Sequence, residues 1–296
     1  MAIALHASSR LGGAAHKAVD KHLNSLDKML AGATEADVDE VIHDTRTGMK
    51  RMRAFLRLIR PAIGKHAYFD ANAHSKALAG ALSGSRDARV LLDTVDLLLL
   101  EVEDRECRAR LREPFSKNYS QTCDIAAGTQ PLRQARQRLR SLQHRARHWR
   151  LKRYDYQALM LAIETEYGQG RRHWLQIQQH PDAEALHAWR KEVKRFYYQV
   201  SLLFPRGKKT QRARLKDLGE YLGQLHDLHI LLEYIASHRS LFWAEDLSLL
   251  ELTAQRREQA LMDLIWRLAP KAYGEPAPSY SRKLIKGWRD LRQKKH

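Results

Sequence analysis

The sequence predicts an all-α fold. Apolar residues recur at intervals of three to four positions along most of the chain, and its 8 prolines and 15 glycines fall mostly between those stretches. An internal repeat adds that the helices form two related halves.

Helices are expected at about 13–31, 37–60, 68–102, 104–125, 130–150, 154–179, 183–204, 208–238 and 244–268. Pro61 and Pro205 are expected to end two of them, because proline lacks an N–H and crowds the residue before it. Pro270, Pro276 and Pro278 mark a looser C-terminal tail, whose basic end from Ser281 to His296 is compatible with one more short helix.

The repeat emerges when the chain is laid on itself. With a shift of 144 residues, His43, Arg46, Lys50, Arg51, Leu58 and Pro61 meet His187, Arg190, Lys194, Arg195, Leu202 and Pro205. With a shift of 140, Lys76, Leu78, Leu82, Asp87, Leu91 and Leu92 meet Lys216, Leu218, Leu222, Asp227, Leu231 and Leu232. Two segments in the same order predict a duplicated helical unit, residues 1–150 and 151–296, within one domain spanning 1–296.

Charge narrows the partner. Lys and Arg number 52 against 34 acidic residues, a net charge of +18 on 296 residues, 44% of them hydrophobic. Such an excess repels itself in a compact state, so a function that uses the positive field is the economical explanation. The partner is expected to be acidic: nucleic acid, an anionic membrane surface or a phosphate polymer. Cys107 and Cys123 are too few for a disulfide framework, and a reducing compartment suits them. Met1 to Ala15 lacks the charged start and apolar run of a secretory signal, and Leu97 to Leu100 is too short to span a bilayer. The expectation is a cytoplasmic protein without a membrane segment.

On a helix advancing about 100° per residue, His43, Arg46, Lys50, Arg53 and Arg57 fall within an arc of roughly 80°. Ile42, Met49, Met52, Leu56 and Ile59 occupy a separate, apolar arc. In the second half His187, Arg190 and Lys194 repeat the positive face, while Leu186, Trp189, Val193, Phe196, Val200 and Leu203 repeat the apolar one. Tyr197 and Ser201 stand where Arg53 and Arg57 would be matched, with Lys191 and Arg195 on the flank. A basic face on one helix is ordinarily a solvated one, but a solvated face mixes signs, since like charges four apart oppose the helix. Here one sign persists in both halves, which favours anion binding.

The segments His43-Asp44-Thr45-Arg46-Thr47-Gly48-Met49-Lys50-Arg51-Met52-Arg53 and His187-Ala188-Trp189-Arg190-Lys191-Glu192-Val193-Lys194-Arg195-Phe196-Tyr197 resemble the signature of the conserved histidine α-helical domain, CHAD. That pattern is His, Arg three on, then a Lys/Arg pair. Leu82-Ser83-Gly84-Ser85-Arg86-Asp87 and Leu222-Gly223-Gln224-Leu225-His226-Asp227 resemble the family's Leu-Gly-x-x-Arg/His-Asp element, with Ser83 departing from its glycine. The resemblance covers nearly the whole chain. It implies two four-helix bundles related by pseudo-twofold symmetry, with a basic central groove or pore that binds inorganic polyphosphate, in proteins often placed at polyphosphate granules. By motif position His43, Arg46, Lys50, Arg51, His187, Arg190, Lys194 and Arg195 would line it, with Arg86 and His226 as further members.

Other basic residues are candidates for the same surface. Arg133, Arg136, Arg140, His144 and Arg147 form a second helical stripe, equally readable as a solvated connector between the halves. Lys76 and Lys216 match across the repeat, as do Arg89 and His229, one turn beyond Arg86 and His226. Asp87 and Asp227 are read as partners for neighbouring cations, not as substrate groups. His43-Asp44 and His226-Asp227 are similar to the His-Asp pair of metal-dependent phosphohydrolases. Yet Ala188 follows His187, and cations around these histidines would repel a metal. No Gly-rich phosphate loop or nucleophile elbow is present. A non-catalytic polyphosphate binder without a cofactor is therefore expected. Nucleic-acid binding is the alternative, although base readout wants aromatic or amide side chains on the basic face and only Tyr197 lies there.

Overall fold

A computed structural model describes residues 3–8, 10–34, 37–82, 86–126, 130–151, 153–205 and 209–293. Its described residues form ten α-helices and no strand: α1 (Leu11–Ala31), α2 (Val38–Gly80), α3 (Arg86–Leu99), α4 (Arg105–Ala126), α5 (Gln130–Ala146), α6 (Tyr156–Ile177), α7 (Ala183–Leu203), α8 (Lys209–Ser237), α9 (Ala244–Tyr273) and α10 (Ala277–Gln293). A 3-10 turn, Arg239–Leu241, joins α8 to α9.

Local chemistry sets several of these boundaries. The Asp155 and Asp182 carboxylates cap α6 and α7 by accepting from the N–H groups of Ala158 (2.8 Å) and Ala185 (2.7 Å). Phe204, ahead of Pro205, leaves the helical region at φ −124°, ψ 66° and closes α7. Pro61 does not end its helix. Helical backbone runs past it to Gly64, whose φ of +82° breaks α2 into two arms. The helix expected over 68–102 is divided as well, into the second arm of α2 and α3. Up to Gln293 the C-terminal tail is mostly helical: α9 carries Pro270 inside it, and α10 buries Leu284, Ile285 and Trp288.

The predicted apolar arcs form the centre of the molecule. Met49, Met52, Leu56 and Ile59 of α2 and Leu186, Trp189, Val193, Phe196, Val200 and Leu203 of α7 are all buried in one large core, with Ile42 packed at its edge. This core also takes α1, α5, α6, α10 and parts of α8 and α9. A smaller core joins Val95 and Leu98 of α3, Leu111 and Phe115 of α4, Leu228 and Leu231 of α8 and Leu250 of α9. Cys107 is buried there with a free thiol, while the side chain of Cys123 lies outside the described residues. Each core draws on both 1–150 and 151–296, so the apolar interior is not partitioned by half.

Where α2, α6 and α7 meet, a buried carboxylate joins them. Nε of Arg57 lies 2.8 Å from both oxygens of Glu166, and Nη2 of Arg57 donates to Gln169 at 2.8 Å. The Gln199 amide donates to Glu166 Oε2 (3.1 Å) and to the Ala54 carbonyl (3.2 Å). Arg195 sits 3.9 Å from the same carboxylate and pairs with Glu192. Removing one member of such a pair leaves an uncompensated charge in a poorly solvated place. Replacing Glu166 by Ala is expected to lower unfolding free energy by about 3 kcal/mol in urea titrations, whereas the double change Glu166→Leu, Arg57→Leu recovers most of that loss.

Candidate functional site

The second basic stripe lies along the contact between α7 and α8. Helical spacing puts His187, Arg190 and Lys194 on one face of α7. Opposite them α8 presents Gly219 and Gly223, one turn apart. A Cβ added at Gly219 would stand 3.3 Å from Cγ of Lys194, and one at Gly223 would stand 3.5 Å from its Nζ and 3.6 Å from Nε of Arg190. The two glycines thus let a lysine stem and a guanidinium lie along the α8 backbone. One turn on, the His226 ring packs on the His187 ring, with centroids 3.9 Å apart and planes inclined at 36°.

Both imidazoles are held neutral. Burial, then the nearby His187, Arg190, His229 and Lys191, lower the pKa of His226 to about 4. Burial, then Lys191 and Arg190, also lower that of His187. Nδ1 of His187 is buried and has no hydrogen-bond partner among the described residues. Next to Gly223, the Gln224 side chain accepts from Arg257 of α9 at 2.7 Å.

The first stripe runs along the first arm of α2. Arg46 Nη1 donates to the Ala79 carbonyl on the second arm at 2.9 Å, and under the 140-residue shift Ala79 falls on Gly219. Gly219 lies against Lys194, and Arg190 lies one turn further on, beside Gly223, so the two arginines meet the following helix at different turns. Arg53 Nε donates to Asn72 at 2.9 Å. Burial, then the nearby Arg195 of α7, lower the pKa of the Arg53 guanidinium. His43 and Lys50 are exposed and Arg51 is half-buried beside His22.

Several candidates have carboxylate partners, some three or four residues away on the same helix and others on a different helix. Arg57 is bound to Glu166, and Arg195 to Glu192. Arg136 (2.9 Å) and Arg140 (3.4 Å) share Asp27. Arg89 pairs with Asp93 (2.8 Å), Lys216 with Glu220 (3.4 Å) and His229 with Glu258 (3.0 Å). Lys76, Arg133 and Lys191 are exposed, and the side chain of Arg86 lies outside the described residues. Glu166, Asn72 and Gly219 of α8 were not singled out from the sequence, whereas Gly223 belongs to the Leu-Gly element quoted from it. Glu166 is 109 positions from Arg57, and only the packing of α6 against α2 brings them together.

No helix of the described residues is long and apolar enough to cross a membrane. Among those residues no three His, Cys, Asp or Glu side chains assemble as a metal-binding group. Compared with curated proteins and with solved structures, the chain matches none. A family model described as CHAD domain matches residues 17–236, a span that contains both histidine-led helices and the contact between α7 and α8. The chain, with its two matching basic helix faces, belongs to the CHAD domain family.

Proposed function

We propose that the chain binds inorganic polyphosphate without catalysing a reaction, in a basic groove formed by two pseudo-twofold-related helical units, and that it acts at polyphosphate granules in the cytoplasm. The observation that carries this reading is the repeated face. His43, Arg46 and Lys50 on α2 and His187, Arg190 and Lys194 on α7 share one spacing, and Arg46 and Arg190 both lie against the helix that follows. Family membership supports it.

In this mechanism Arg46 and Arg190 present planar N–H forks to successive phosphoryl oxygens, and Lys50 and Lys194 add point charges between them. Counterions released from the chain supply much of the affinity, as they do for nucleic acid. The ion-paired Arg57, Arg89, Arg136, Arg140, Arg195, Lys216 and His229 then contribute mainly to the fold or the long-range field.

The groove reading is tested by comparing two quadruple alanine variants. Changing Arg46, Lys50, Arg190 and Lys194 removes contacts of about 1.5 kcal/mol each before non-additivity, so polyphosphate affinity is expected to fall at least about 100-fold and its salt dependence to flatten. Changing the exposed Arg172, Arg267, Arg282 and Lys286 removes the same charge and is expected to cost less than about tenfold. Equal, slight losses in two helical variants would overturn the groove assignment.

Protons give a second test. The folded pKa of His226, about 4, lies below its ordinary 6.5, so between these values the unfolded chain binds the extra proton. Stability of the free protein is therefore expected to be full above about pH 6.5 and to decline as pH falls toward 4. A phosphate oxygen beside His226 favours the imidazolium instead. Affinity for polyphosphate is then expected to rise as pH falls from about 8 to about 6. Calorimetry in buffers of different ionisation enthalpy should register proton uptake, and His226→Gln should reduce it.

A further inference from the structure

A second cluster of cations lies apart from both stripes, on the outer side of α1. The segment Ile3–Ser8 runs beside this helix and is fastened at both ends: the Leu5 N–H donates to the Leu202 carbonyl (3.0 Å), and the Tyr156 hydroxyl donates to the Ser8 carbonyl (3.0 Å). Between segment and helix is a cleft of about 710 Å³. Its apolar lining comes from Ile3 and a run of alanines, and its basic side chains are His6, Arg10, Lys17 and Lys21. No carboxylate lines it among the described residues, and none of those four side chains is in an ion pair there. This contrasts with α5, where Arg136, Arg140 and Arg145 all have carboxylate partners.

The cleft also receives the start of α1, whose N-cap, Arg10, offers no capping oxygen and whose first turn holds no acidic residue. An independent observation specifies what belongs there. His22 lines the cleft, is 3% exposed, and hydrogen-bonds through Nε2 to the Gly48 carbonyl at 3.0 Å, while its buried Nδ1 has no partner among the described residues. A carbonyl only accepts, so Nε2 carries the proton. Nδ1 is then a bare acceptor, and burial with the nearby Arg51 keeps the ring neutral, its pKa lowered to about 4. Cations and an amide-rich helix start call for an anion. A neutral imidazole acceptor calls for an O–H donor on that same ligand.

We propose that this cleft is a second binding site, for a small phosphoanion that carries an O–H group, such as orthophosphate or a hydroxylated phosphate monoester. Lys17, Lys21 and Arg10 neutralise the phosphate, and Nδ1 of His22 accepts the hydroxyl hydrogen. The wall from Ile3 to Ala14 precedes the residues that the family model matches, while Lys17, Lys21 and His22 lie within them.

Selectivity tests it. Phosphate monoesters keep a P–O–H on about half their molecules near pH 6, whereas sulfate has no proton to give. The intact chain is titrated calorimetrically at that pH and constant ionic strength with orthophosphate, glycerol 3-phosphate and sulfate. Both phosphates are expected to bind about tenfold tighter than sulfate, the difference one satisfied buried hydrogen bond makes. Tighter binding of the ester than of orthophosphate would identify an organic phosphate as the occupant; equal binding would identify the free ion. Lys17→Ala with Lys21→Ala, both exposed positions, should weaken phosphate about tenfold or more, while Arg267→Ala with Lys286→Ala, equally exposed and outside both the cleft and the basic stripes, should leave it within about twofold. Sulfate binding as well as phosphate, no measurable phosphate binding, or an equal loss in the Arg267 and Lys286 variant would overturn the proposal. None of these outcomes depends on whether the groove binds polyphosphate.

Discussion

The constraint on which this structure depends is the need to pack two positively charged helices side by side. α2 and α7 lie against each other in the main core, and Arg53, Arg57 and Arg195 approach one another at their contact. Guanidinium groups in a poorly solvated interface repel strongly, since the dielectric that screens them in water is absent. Glu166 relieves this. It holds Arg57 with both oxygens, lies near Arg195 and takes a further hydrogen bond from Gln199, which also grips the α2 backbone at Ala54. Because Glu166 belongs to α6, the neutralising group arrives from a third helix and ties all three together. Burial of so few charges is tolerable only when each oxygen is satisfied, as here.

From that arrangement the division of labour among the basic residues follows. Cations that point inward, or lie along the outer bundle faces, meet Glu166, Asp27, Asp93 or Glu258. The cations of α7 that face α8 lie beside glycines and two neutral imidazoles. A neutral His187–His226 pair in tilted ring contact adds no repulsion to the free protein, yet can take up charge when an anion approaches. This face of α7 thereby holds its cations close together without the full electrostatic penalty of two more.

The helical class and most helix positions were legible in the sequence, because a repeating apolar face is a local property of spacing. So were the buried residues of α2 and α7, from Met49 through Ile59 and from Leu186 through Leu203. Where two local rules competed, the reading was less faithful. Pro61 was expected to end a helix, but a proline near a helix end loses little hydrogen bonding, and the break falls at Gly64, where φ becomes positive. The prolines near the C-terminus suggested a loose tail. Trp288, Tyr280 and Tyr273 nevertheless bury against α6 and its neighbours, and this apolar gain outweighs the interruption.

By itself, the sequence determined that this chain is helical, internally repeated and strongly basic, and that one histidine-led face occurs twice. Those are properties of residue order and need no knowledge of what lies across a contact. Only the tertiary structure decided which cations are neutralised from other helices: Glu166 lies 109 positions from Arg57, and Asp27 lies 109 from Arg136. It also decided that the two cores are each shared by both halves, and that His22, in the wall of a cationic cleft, keeps a buried acceptor without a partner among the described residues. Helix periodicity says which side of a helix is buried; which charge meets that side is settled by packing, where distance along the chain ceases to matter.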